Sequence, residues 1–160
     1  MSSRADAARG RARYRRTMPR VLRSSLPPSG MYHVTTRGVA RRDIFVDVED
    51  RERFVRLLHK IAQRSEWRCP AYTLMTNHYH VIVNCEIKSL STGIAWLNGT
   101  YAHQFNEKYG RVGHLYQGRF EARVVRDDEH LGNACEYVWN NPVRAGLCET
   151  AADWPWNGSI

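Results

Sequence analysis

The sequence predicts an α+β domain of ferredoxin-like (RRM-like) type, an antiparallel sheet in the order β-α-β-β-α-β followed by one more helix. Three observations carry that expectation. Four short runs rich in Val, Ile, Thr and Tyr alternate at the strand period. Two longer runs between them repeat apolar residues at helical spacing. The 160 residues suffice for one domain with its own core. The longest apolar runs are a few residues, such as Val81-Ile82-Val83, against the roughly 20 needed to cross a bilayer, so no membrane partner is expected.

The elements follow in order. Residues 1–30 are rich in Arg, Ala, Ser and Pro without an apolar period and read as a flexible basic arm closed by Pro27-Pro28-Ser29-Gly30. Met18-Pro19 inside it is an alternative start. Residues 31–160 read as the single domain. Met31–Arg37 is a β-rich run stopped by Gly38, the first strand. Val48–Trp67 carries Phe54, Leu57, Leu58 and Ile61 on one helical stripe, with Asp47 or Asp50 as its cap. Arg68–Met75 and His78–Asn84 are strands two and three, joined through Thr76-Asn77 as a short hairpin. Ser89–Tyr109 places Ile94, Leu97, Tyr101 and Phe105 on one stripe and stops at Gly110. Arg119–Val125 is the fourth strand. A last helix runs from the Asp127-Asp128 caps to about Asn140, ended by Pro142. Trp154 and Trp156 are expected to fold back on the body. With both helices on one face, the other face of the sheet is expected to be open, a surface that often binds nucleic acid.

Charge narrows the partner. The net charge is +8, and only Lys60, Lys88 and Lys108 among the 24 cations are lysines. Residues 1–30 hold eight arginines and one acid, so the arm carries most of the basicity and suits a phosphate-rich partner. A solvated tail with a compositional bias is the plainer account. Cys69, Cys85, Cys135 and Cys148 form no CxxC pair, and no charged segment followed by an apolar run opens the chain. Reduced thiols in a cytoplasmic protein are the expectation, and a cysteine zinc site is not.

Two constellations carry chemistry. His78 and His80 flank Tyr79 on a strand, so both rings leave one face with Cα atoms about 6.6 Å apart, close enough to converge on one metal ion or phosphate. Val81, Val83 and Tyr79 take the other face. Added amide or carboxylate oxygens would turn such a histidine pair toward Mg²⁺ or Mn²⁺. A pair of surface histidines without partners fits the same spacing. On the last helix, Leu131, Ala134, Cys135 and Val138 form the buried stripe, Tyr137 lies on its flank, and Asn141 follows one turn later on the same flank. A rim tyrosine and an Asn-Pro helix stop would look alike.

Taken jointly, Tyr32–Gly38, Leu74–Val83, Gly113–Phe120, Tyr137–Leu147 and Asp153–Trp156 resemble, in order and spacing, the REP-associated tyrosine transposases, a branch of the single-tyrosine HUH transposases related to insertion sequence 200. Thr76 stands where relatives often have Pro. The resemblance implies Tyr137 as the catalytic nucleophile, with His78, His80 and Asn141 as ligands of a divalent metal, Mg²⁺ or Mn²⁺. It implies a transposase acting as endonuclease and strand transferase on single-stranded or hairpin DNA through a 5′-phosphotyrosine. Arg37, Gln117, Arg119 and Arg123 are the candidates for DNA contact, with Arg119 and Arg123 on one strand face and Phe120 and Ala122 toward the core. Three readings remain open: that enzyme, a non-catalytic single-stranded nucleic-acid-binding protein on the same fold, and a metal-dependent hydrolase without a covalent step. Monomer and homodimer are both compatible with the sequence.

Overall fold

The computed structural model describes residues 25–160. The sheet contains β1 (Ser29–Arg37), β2 (Arg68–Leu74), β3 (His78–Glu86), β4 (Glu121–Val125) and the short β5 (Asn157–Gly158). Their order is β4-β1-β3-β2-β5, with every pair antiparallel. Helices α1 (Val48–Arg64), α2 (Ile87–Tyr109), α3 (Asp128–Trp139) and α4 (Asn141–Arg144) connect and follow them. The β-α-β-β-α-β order and its closing helix are those the sequence predicts. No described helix is long and apolar enough to cross a membrane.

Strand parity divides the sheet. Tyr32 and Val34 of β1, Leu74 of β2, and Tyr79, Val81 and Val83 of β3 pack with Phe54 and Leu58 of α1 and Ile94, Leu97 and Tyr101 of α2 in the main core. The opposite face is not open as expected. Ala71, Ile82 and Val125 meet Ala134, Cys135 and Val138 of α3 in a second core. The apolar stripe of the last helix needs a cover, and the apolar end of that face supplies one. The histidines sit at the other end of the same face, beyond this second core.

Local chemistry accounts for the element ends. Asp47 caps α1 in a reciprocal box with Asp50, and Asp127 accepts from the His130 amide to cap α3. α1 stops at Arg64, three residues short of the expected end, because Glu66 turns to a positive φ of 54° to send Trp67 inward. α2 starts two residues early, directly from β3, and the Ile87 amide is satisfied by the Pro28 carbonyl at 2.9 Å. Residues 26–30, read as the end of the arm, thus belong to the body, with Leu26 in the core and Ser29-Gly30 in β1. The rest of the arm, through residue 24, lies outside the described residues.

Two contacts tie distant elements together. Lys108 at the end of α2 reaches Asp47, Glu49 and Asp50 at the start of α1, at 2.7, 2.9 and 3.0 Å. The cation lies at a C-terminus and the carboxylates at an N-terminus, as the two helix dipoles favour. Arg51 of α1 is buried among the rings of Phe45, Trp154 and Trp156 and donates to the Met75 carbonyl at 3.4 Å. Trp154 Nε1 donates to the Leu74 carbonyl at 3.0 Å, so the tail folds back onto β2 as expected.

Candidate active site

β3 presents His78 and His80 on the face away from the main core, with ring centroids 5.1 Å apart. β1 adds a third imidazole. In the β1–β3 register Thr35 lies opposite His80 and Arg37 opposite His78, so His33, Thr35 and Arg37 share the histidine face. His33 Nε2 is 2.9 Å from His80 Nδ1, and Thr35 Oγ1 is 3.0 Å from the same nitrogen. His78 Nδ1 is 2.7 Å from Asn77 Oδ1, while Asn77 Nδ2 donates to the Arg41 carbonyl at 3.0 Å.

Electrostatics keep these rings neutral. His33 and His80 are 5% and 6% exposed. Burial lowers the His33 pKa to about 3, with the Arg123 charge pushing the same way. Burial and then Arg37 bring His78 to about 4. His80 is held well below 6.5 by burial, then by its His33 and His78 neighbours.

α3 brings Tyr137 to the cluster. Its ring centroid is 6.0 Å from that of His33 and 6.1 Å from that of His80. Pro142 does not end the helical path. Asn140 closes α3, and α4 restarts at once with Pro142 in its first turn, where no N–H is required. That restart buries Asn141 and swings Arg144 back, its guanidinium carbon 4.2 Å from the centre of the Tyr137 ring. Asn141 Nδ2 donates to the Tyr137 carbonyl at 3.0 Å, and Arg144 Nη2 donates to Asn141 Oδ1 at 3.4 Å.

The donor chemistry suits a divalent cation. Each of His78 and His80 has its Nδ1 engaged by the protein, which leaves Nε2 as the nitrogen that each ring can turn to a ligand, and a neutral ring carries one lone pair. Among the described residues no group of three His, Cys, Asp or Glu side chains is placed to hold a metal. Asn141, the residue expected to complete such a set, turns its Oδ1 to the Arg144 guanidinium.

The four DNA-contact candidates fall into two pairs, which meet where the Gln117 amide donates to the Arg37 carbonyl at 3.0 Å. Arg37 and Arg123 belong with the histidines, Arg37 opposite His78 and Arg123 opposite His33 in the strand registers. Gln117 and Arg119 instead line a cavity of about 640 Å³ between α2 and the loop over residues 113–120, with Asn98, Ala102 and Tyr116 on its walls. β4 begins at Glu121, so Arg119 precedes the strand and does not share the Arg123 face as expected. Phe120 and Ala122 pack against the main core. Sequence reading missed His33, Thr35 and Arg144. Strand parity within β1 groups His33 with Thr35 and Arg37, but only the register shows which partner face they join.

A curated protein of Haemophilus influenzae named as a REP-associated tyrosine transposase is 29% identical over 99 residues, 54% of this chain; the chain spans 56% of that relative's length. A solved structure described as a REP-associated tyrosine transposase bound to a REP hairpin superposes with a TM-score of 0.69 at 19% identity, over 88% of this chain and 81% of that one. At that identity the likeness speaks for the fold. The family described as IS200-like transposases matches residues 28–141, from the entry to β1 through α3 to Asn141, and the chain belongs to that family.

Proposed function

We propose that this protein is a transposase that cleaves and rejoins single-stranded, hairpin-containing DNA through a covalent bond to Tyr137. One observation carries the reading. The Tyr137 ring of the last helix stands about 6 Å from the rings of His33 and His80, beside the His78–His80 pair and under the Arg144 cation. A phenol, neutral imidazoles with available lone pairs and a guanidinium are what phosphodiester transfer needs in one place. Both relatives described above carry the REP-associated transposase name, and one is described as bound to a REP hairpin, which supports hairpin DNA as the substrate class.

In the proposed step the Tyr137 oxygen bonds to phosphorus, the bond from phosphorus to the 3′-oxygen breaks, and the phenol gives up its proton. The leaving strand ends as a 3′-hydroxyl, and the product is a 5′-phosphotyrosine. One phosphate ester replaces another, so a second 3′-hydroxyl reverses the step and joins strands without a nucleotide cofactor. His78, His80 and Asn141 would hold Mg²⁺ or Mn²⁺, which when bound supplies charge neutralisation of the phosphate. Arg144, over the phenol ring, adds positive charge where the phosphate must approach. Arg37 and Arg123 flank the same face and hold the backbone of the strand.

Labelled hairpin single-stranded DNA incubated with Mg²⁺ or Mn²⁺ and run on denaturing gels tests this. A protein–DNA adduct is expected from the unaltered protein, with loss of at least 10³-fold in Tyr137→Phe, which removes the attacking oxygen. Binding without any adduct would assign the protein to non-catalytic recognition. Cleavage that persists in Tyr137→Phe would assign it to hydrolysis without a covalent step.

A further inference from the structure

We infer that Asn77 and His33 are positioning residues of this site: each holds the Nδ1–H of one histidine, Asn77 that of His78 and His33 that of His80, and so reserves both Nε2 lone pairs for a divalent cation. The inference rests on the cation reading above and names the residues that make it possible.

The His78 half follows from hydrogen-bond polarity. The orientation of the Asn77 amide is fixed because its Nδ2 donates to the Arg41 carbonyl at 3.0 Å. Its Oδ1 then faces His78 Nδ1 at 2.7 Å. An amide oxygen can only accept, so the nitrogen opposite it must carry the proton. A neutral imidazole has one proton, and with Nδ1 protonated the Nε2 of His78 is a bare lone pair.

The His80 half follows from a count of donors and acceptors. Two groups meet its Nδ1, the Nε2 of His33 at 2.9 Å and the hydroxyl of Thr35 at 3.0 Å. With a proton on Nδ1, that single N–H is shared between two acceptors, a common arrangement. With the proton on Nε2 instead, the lone Nδ1 pair could accept from one of the two groups, and the other would have to turn its hydrogen elsewhere. Nε2 would also have no pair left to give. The contact is built into the sheet rather than into surface rotamers. Thr35 lies opposite His80 in the β1–β3 register, His33 sits two residues along on the same face, and both His33 and His80 are buried. The two histidines thus share one tautomer, each imposed by a neighbour from outside the His-x-His motif.

Long-range ¹⁵N–¹H spectra of the metal-free protein read the tautomers directly. Protonated Nδ1 and bare Nε2 are expected for both His78 and His80, and an Nε2–H signal from either overturns the inference for that ring. Mn²⁺ titration by calorimetry gives the second readout. His33→Phe and Asn77→Leu remove the acceptors and should weaken Mn²⁺ binding about 10- to 100-fold. His33→Gln and Asn77→Asp keep an acceptor and should regain most of it, which a general loss of folding would not permit. Unchanged Mn²⁺ affinity in the first pair overturns the positioning role while the cation reading stands. No Mn²⁺ binding by the unaltered protein overturns the cation reading, and this inference with it.

Discussion

At the scale of single residues, the histidine cluster makes stability depend on pH. His33 and His78 in the fold bind protons only below about 3 and about 4, and His80 only well below its ordinary value, whereas the unfolded chain binds them near 6.5. Between about pH 4 and 6.5 the unfolded state therefore holds more protons, so stability rises with pH through that window and levels off above it. Each ring can contribute at most about 1.4 kcal/mol per pH unit. Urea midpoints should fall steadily from pH 7 to 4.5, and less steeply in His80→Gln; a flat profile over that range would contradict the account. The residues of the site differ in how far sequence reveals them. His78 with His80 and Tyr137 with Asn141 are local pairs, two residues apart on a strand and four apart across the junction of α3 and α4. His33, Thr35 and Arg144 enter through a strand register and a helix restart, and no local spacing records either.

At the scale of elements, α2 shows where propensity yields to packing. Gly93 lies within it, and a Cβ there would collide with the Trp67 indole ring and press on Ile61 Cγ1. Alanine in a helix gains about 1 kcal/mol over glycine. The indole cannot withdraw, because it is buried and its Nε1 donates to Ser89 Oγ at 2.9 Å. Overpacking costs about 1–3 kcal/mol, and a clash with an indole that cannot move falls in the upper part of that range, so Gly93→Ala should destabilise by a net of about 1–2 kcal/mol. A urea midpoint equal to or above that of the unaltered protein would show that the helix shifts to make room. The elements themselves were legible because their periods are strong and their stops explicit. The early start of α2 was not, since the Pro28 carbonyl that receives its first amide lies far away in sequence. The covering of the second sheet face by α3 was not either, because the stripe of Leu131, Ala134, Cys135 and Val138 marks a buried face without saying what buries it.

At the scale of the whole molecule, charge and site are unevenly distributed. Residues 1–30 carry eight arginines and one acid, while the remaining 130 are nearly neutral. If the arm grips phosphates, deletion of residues 1–17 should flatten the dependence of log affinity on log salt by several units, since each neutralised phosphate contributes about 0.7 to the slope on single strands. An identical slope would make the arm incidental to binding. The body adds the cavity lined by Gln117 and Arg119, joined to the end of β1 where the Gln117 amide donates to the Arg37 carbonyl at 3.0 Å.

β3 serves two masters. Tyr79, Val81 and Val83 are wholly buried in the main core, and His78 and His80 project from the other side of the same backbone. The order of the imidazoles is therefore settled when the chain collapses, and the freedom lost in gathering them is lost once, during folding, rather than at every encounter with a ligand. Readiness for chemistry and solidity of the interior are here one property of nine consecutive residues.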